Sequence, residues 1–294
     1  MPHFNPLAEQ ADSDPDDLAL VARAQAGDRE ALETLLKRHQ PWIYNILVRM
    51  LYYPVEAEDA TQEVLIKVLT KLSTFERRSS FRTWLYRIVV NHALNIKRRG
   101  GQPDTISFSD YARGLDNTPN LDLPDPSSVP ADVQLLVQEA KIGCTAGMLL
   151  CLDREQRLVY ILGGILAVPD SVGAELLEIS RDAFRQKLAR ARRDLHSFMH
   201  GQCGLINSAN ACRCAKKTQG FIKAGYLEPH RLLFARAHVT HVHEVALSAV
   251  EGLETLDAAY GEIYRDHPFH AAPDFLAALR KLLDRPECRS LLAG

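Results

Sequence analysis

The chain has 294 residues, of which 46% are apolar and 24% charged, with 35 Lys and Arg against 37 Asp and Glu. That length suits two or three domains with more than one buried core, and the near-neutral total says little about partners. No apolar run reaches the length of a membrane span, and the opening MPHFNPLAEQADSDPDD lacks the basic-then-apolar order of an export signal, so the six cysteines read as reduced thiols or metal ligands in a cytoplasmic protein.

In chain order, residues 1–15 form a polar, Pro-containing tail. Helical spacing begins at Asp16 or Asp17 with Leu18, Val21 and Ala22, and Gly27-Asp28 breaks and recaps it. A long helix follows, with Leu32, Leu35, Leu36, Ile43, Ile46, Leu47 and Met50 as its stripe, and Pro41 should kink or split it. A third helix opens after Pro54 with Glu56, Glu58 and Asp59 in its first turns, where acids suit the helix dipole. A fourth carries FRTWLYRIVVNHALNIKRR, with Phe81, Trp84, Leu85, Ile88, Val89, His92 and Ile96 on one stripe. Its other face holds Thr83, Arg87, Asn91 and Asn95, then Lys97, Arg98 and Arg99. Asparagine is a poor helix former, so two of them four residues apart in mid-helix need an offsetting role. Asn amides can hydrogen-bond base edges and arginines can hold phosphates; a solvated, positively capped helix end is the alternative.

Residues 101–131 hold five prolines and five aspartates against Arg113, and read as an acidic flexible linker. Helices return over about 132–152 and 154–162, then over 171–178 and from Arg181 to about Met199. The last two read as a helix-turn-helix. Phe184, Leu188, Ala191 and Leu195 form the buried stripe of its second helix, and Arg181, Arg185, Gln186 and Arg190 face away, placed for a DNA major groove. Arg181, Arg185, Lys187, Arg190, Arg192 and Arg193 make this a second basic cluster, far in sequence from the one at 75–99; two such clusters fit a protein that touches a polyanion twice.

Residues 201–217 are turn-rich. His200, Cys203, Cys212 and Cys214 supply four donors suited to tetrahedral zinc, although the spacing is not that of a standard finger. Redox-active or plain structural thiols are the alternatives, and Arg213, Lys216 and Lys217 would favour reactivity by lowering thiol pKa values. Cys144 and Cys151 read as core thiols. Residues 218–294 read as a mildly acidic helical extension. No strand-like alternation stands out, so the fold class is all-α.

The stretch DATQEVLIKVLTKLSTFERRSSFRTWLYRIVVNHALNIKRR, residues 59–99, closely resembles region 2 of bacterial RNA polymerase sigma factors of the extracytoplasmic-function (ECF) group, in the sigma-70 family. The resemblance extends over residues 16–100 and implies a four-helix domain. It implies that Asp59, Gln62 and Glu63 dock on core RNA polymerase. It further implies that Trp84, Arg87, Asn91, Asn95, Lys97, Arg98 and Arg99 contact the unpaired strand of the minus-ten promoter element. Residues 132–200 more weakly resemble sigma region 4, whose second helix, here with Arg181, Arg185, Gln186 and Arg190, reads the minus-thirty-five element. Glu178 stands where the family usually has Gly at the bend, where a left-handed residue would cost about 1 kcal/mol; Gly173 stands where the family has a larger residue. The function implied is sequence-specific transcription initiation with no enzyme activity and no required cofactor. A stand-alone helix-turn-helix regulator is the alternative. An anti-sigma partner, or self-regulation by the extension at 218–294, stays open.

Overall fold

A computed structural model describes residues 6–7, 15–96, 105–121, 131–234, 264, 270, 272–277 and 280. The expected tail, Lys97, Arg98, Arg99 and most of the C-terminal extension lie outside the described residues. Among the described residues the chain is helical throughout, without strands. It divides into two compact units: Met1–Gly100 with Ile161–Leu188 and His270–Gly294, and Gly101–Tyr160 with Ala189–Phe269.

The first unit is built on α1 (Pro15–Gln25), α2 (Arg29–Leu51), α3 (Pro54–Lys71) and α4 (Phe81–Asn95). Each start is encoded locally. Asp28 caps α2 by accepting from the Ala31 N–H at 3.1 Å, Pro54 opens α3 where its missing N–H costs nothing, and the Ser80 hydroxyl accepts from the Thr83 N–H at 3.1 Å. The core is aliphatic, with Leu35, Ile43, Ile46 and Leu47 of α2 against Ala60, Val64 and Val68 of α3 and Leu85 and Val89 of α4, all essentially out of water. Inside it His39 reaches Asp17 at 2.9 Å and Tyr86 at 3.4 Å, joining α1, α2 and α4 through a polar chain.

Of the two outcomes expected at Pro41, a kink or a split, the split does not occur: the helix runs unbroken from Arg29 to Leu51. Buried leucines before the proline and buried isoleucines after it share one core, which outweighs the lost backbone bond. The Asn45 amide donates to the Pro41 carbonyl, 2.8 Å away.

The C-terminal residues of this unit also pack on α2. Asn45 and His270 exchange two hydrogen bonds, each 2.9 Å, between the Asn side chain and the His backbone. Phe275 lies against Tyr44 with ring centroids 5.9 Å apart, and Arg280 makes a forked pair with Glu33. That pair holds the Glu33 carboxyl below its ordinary range.

The second unit contains α5 (Phe108–Asn117), α6 (Ala131–Leu149), α7 (Arg154–Val159) and α10 (Cys214–Lys223). The helix α5 lies inside what the proline content marks as a linker. Ser107 caps it, accepting from the Asp110 N–H at 3.0 Å, and Phe108, Tyr111, Ala112 and Leu115 give it an apolar face. Two buried cations close helix ends here: Arg157 donates to the carbonyls of Leu149 and Leu152, and Lys217 to those of Leu115 and Thr118. Each satisfies carbonyls a helix terminus leaves open and meets the negative end of the dipole.

Candidate nucleic-acid interface

Three surfaces carry the residues singled out from the sequence. On α3, Asp59 is half-buried while Gln62 and Glu63 are exposed. The sequence reading missed their apolar companions: Val55 is 55% and Ile66 38% exposed, and at spacings of four, three and four they share a face with Asp59 and Gln62. Partial burial and the neighbouring Asp59 push the Glu58 carboxyl upward. The stripe is thus mixed, apolar at both ends and acidic between, suited to a protein surface more than to water alone. Glu63 also stands 3.6 Å from His92 of α4, whose Nδ1 accepts from Lys67 at 2.7 Å. Burial first, and the Lys67 ammonium second, hold the His92 pKa below its ordinary value.

On α4 the register differs from the expected one. Arg82 and Thr83 are buried with Leu85, Tyr86, Val89 and Val90, whereas Ile88 is only half-buried. The cause is that α4 is covered from more than one side: by α2 and α3, and by α8 (Asp170–Leu177) of the same unit. Trp84 is half-buried, stacked on Phe81 at 5.7 Å and tilted against Phe75 at 5.4 Å, so one edge of an aromatic cluster reaches the surface. Arg87 follows one turn on, half-buried. Asn91 and Asn95 are exposed, and the Asn95 amide folds back to the Asn91 carbonyl at 2.7 Å. Trp84, Arg87, Asn91 and Asn95 therefore follow one another up the helix, an aromatic, a cation and two amides at spacings of three and four.

The helix-turn-helix pairs α8 with α9 (Arg181–Gln202). Of the expected stripe Phe184, Ala191 and Leu195 are fully buried and Leu188 is half-buried, Met199 extends it, and Arg181, Arg185, Gln186 and Arg190 are exposed. Gly173 has a packing reason: a Cβ there would stand 2.5 Å from the Phe184 ring, so the ring occupies the room a side chain would need. Glu178 closes α8 with φ 56° and ψ 38°, the left-handed conformation that a glycine takes without strain. Arg185 pairs with Asp170 at the start of α8.

The expected metal set is not assembled. Among the described residues no group of three or more His, Cys, Asp and Glu side chains is disposed to hold a metal ion. His200 is exposed on α9, and its carbonyl accepts from Asn210 at 2.9 Å. The thiols of Cys203, Cys212 and Cys214 instead neighbour Cys144 of α6, a residue the linear spacing does not reveal. Gly204 permits this approach: a Cβ there would lie 2.0 Å from the Cys212 carbonyl oxygen. Cys144, Cys212 and Cys214 are also not activated as the nearby basic residues suggest. Burial raises Cys214 to about 12 and Cys144 further, and Cys212 is raised despite Lys217 and Arg213. Arg213 is turned to loop carbonyls, including that of Ser208 at 2.7 Å.

The family profile for Sigma-70 region 2 matches residues 35–102, which takes in α3, α4 and most of α2. Among curated relatives, the ECF RNA polymerase sigma-E factor of Escherichia coli K12 is 32% identical over 142 residues, covering 41% of this chain and 73% of that protein. The RNA polymerase sigma-H factor of Pseudomonas aeruginosa is 31% identical over 128 residues, covering 42% of this chain. The chain spans 66% of the sigma-H factor's length. A solved structure titled as CnrH in complex with the cytosolic domain of CnrY aligns over 63% of this chain and 98% of its own, at 22% identity and a TM-score of 0.43. The helical unit with the α3 and α4 surfaces is a sigma-70 type domain. The chain belongs to the sigma-70 family, in its ECF group.

No helix among the described residues is long and apolar enough to cross a membrane.

Proposed function

We propose that this protein is a promoter-recognition subunit that binds core RNA polymerase and grips promoter DNA at two elements. It aids strand opening without covalent chemistry of its own. The observation that carries this is the outward row on α4, an aromatic edge at Trp84 followed by Arg87, Asn91 and Asn95. Aromatics stack on unpaired bases, amides can satisfy base edges, and arginine neutralises phosphate. The acidic and apolar stripe of α3, with Asp59, Gln62 and Glu63, supplies the polymerase contact. The exposed row Arg181, Arg185, Gln186 and Arg190 of α9 supplies the second, duplex contact.

The test is run-off transcription with core polymerase, beside a pull-down. Each of Asn91→Ala and Asn95→Ala should lower open-complex formation about five- to a hundredfold, the worth of a good base contact, while polymerase is still retained. Initiation at the parent's level by both variants would remove the α4 row from the account. Failure of the chain to retain core polymerase would remove the sigma reading as a whole.

A further inference from the structure

Two of the arginines assigned to DNA are held by opposite ends of the same short helix. At the start of α8, Asp170 pairs with Arg185 of α9. At its end, Arg87 of α4 donates from Nε and a terminal nitrogen to the Glu175 carbonyl, at 3.4 and 3.3 Å, and its other terminal nitrogen lies 3.6 Å from the Glu178 carboxylate. The Glu175 carbonyl, in the last turn of α8, also accepts from the Glu178 N–H at 3.3 Å, and the arginine sits beside it at the negative end of the dipole. All of these residues belong to the first unit.

Glu178 is the informative member. It holds a left-handed backbone that costs a side-chain-bearing residue about 1 kcal/mol and a glycine nothing. A strained residue at a bend is a reason to ask what its side chain does. Here it carries a carboxylate to Arg87, the cation of the α4 row among the described residues, something glycine at the bend cannot do.

We propose that α8 is an internal stand-in for DNA: in the free chain its two ends occupy Arg87 and Arg185, and promoter binding must displace it from both. The proposal rests on the reading of those arginines as DNA contacts. All three nitrogens of the Arg87 guanidinium are turned to the end of α8, so the closed contact and a phosphate compete for the same donors. The α4–α8 contact is thereby a latch that weakens binding of stray DNA by the free chain. Its ion pair is exposed, 35% for Arg87 and 69% for Glu178, which makes it easily exchanged for a phosphate backbone.

The first measurement uses hydrogen exchange on the free full-length chain, with neither polymerase nor promoter present. Glu178→Arg should speed exchange in residues 81–95 and 170–177 about two- to fivefold, the scale of an exposed ion pair turned repulsive. The swap Arg87→Glu with Glu178→Arg should restore the parent rates. Glu178→Gly should show the same faster exchange locally while resisting urea at least as well as the parent, which separates an open latch from a damaged fold. The second measurement is fluorescence anisotropy with a random-sequence single-stranded oligodeoxynucleotide, which Glu178→Gln should bind about two- to fivefold more tightly. Unchanged exchange in Glu178→Arg, or equal oligonucleotide affinity for Glu178→Gln and the parent, overturns the proposal. Because the exchange arm needs no transcription, failure of the sigma reading would show separately, as loss of polymerase-dependent initiation.

Discussion

Replacing Asn45 by Ala should reveal how far α2 depends on a segment 225 residues away. The Asn45 side chain is wholly buried and makes four hydrogen bonds: to the Pro41 and His270 carbonyls, from the His270 N–H, and from Arg49 at 2.7 Å. Alanine removes both hydrogen bonds to the His270 backbone inside the protein. It also strips an acceptor from Arg49, whose guanidinium burial already draws down to about 10. Two neutral bonds at about 1 kcal/mol each and a partner for a buried cation at about 1.5–3 kcal/mol give an expected loss of about 3–5 kcal/mol. Arg49 keeps the Asn45 backbone carbonyl at 3.0 Å, which favours the lower half of that range. The assay is urea unfolding joined to amide exchange of α2, since a chain with two units need not unfold in one step. The same substitution in a chain ending at Phe269 should cost about 2 kcal/mol less, because the His270 groups are then absent. A loss below about 1 kcal/mol, or an equal loss in both backgrounds, would refute the assignment.

Gly173→Ala drives a methyl into the Phe184 ring and should destabilise the helix-turn-helix by about 1–3 kcal/mol, read as a lower urea midpoint with unchanged slope. Gly201→Ala, where a Cβ meets nothing within 4 Å, is the neutral control. The lowered pKa of His92 predicts acid sensitivity. Below the ordinary value of 6.5 the unfolded chain takes up a proton that the folded site resists, so stability complete above pH 6.5 falls as pH drops past it. His92→Gln should flatten stability between pH 7 and 5, about the ordinary histidine range, when followed by urea titration at each pH; an unaltered slope would show that another group governs it.

The elements with a strong period were legible. Leu32, Leu35, Ile43 and Ile46 announce α2, and Phe184, Ala191 and Leu195 announce α9, because one buried face per helix leaves a clean stripe. The register of α4 was not, since a helix covered from two directions buries Arg82 and Thr83 along with its aliphatic face. The apolar face of α5 was present as Phe108, Tyr111 and Leu115, but prolines around it gave the stretch the look of a tether. The left-handed turn at Glu178 followed from the family resemblance, in which glycine usually stands at that bend, whereas the carboxylate's use against Arg87 depends on a contact 91 positions away and leaves no local signature. Nothing in the linear pattern marks Lys217 or Arg157 as buried; only the meeting of helix ends makes them caps. For the cysteines, spacing proposed His200 and proximity selected Cys144, and nothing in linear distance distinguishes the two.

The reciprocal pair between Asn45 and His270 also sets a timetable. During synthesis at roughly 5–20 residues per second, the ribosome finishes α2 some ten to forty-five seconds before residue 270 exists. Throughout that interval the two Asn45 bonds to the His270 backbone must be replaced by water, while those to Pro41 and Arg49 lie within α2, so the first unit is completed only when residue 270 arrives. A nascent chain therefore carries, for that whole interval, an α2 whose buried amide waits on residues made long after it.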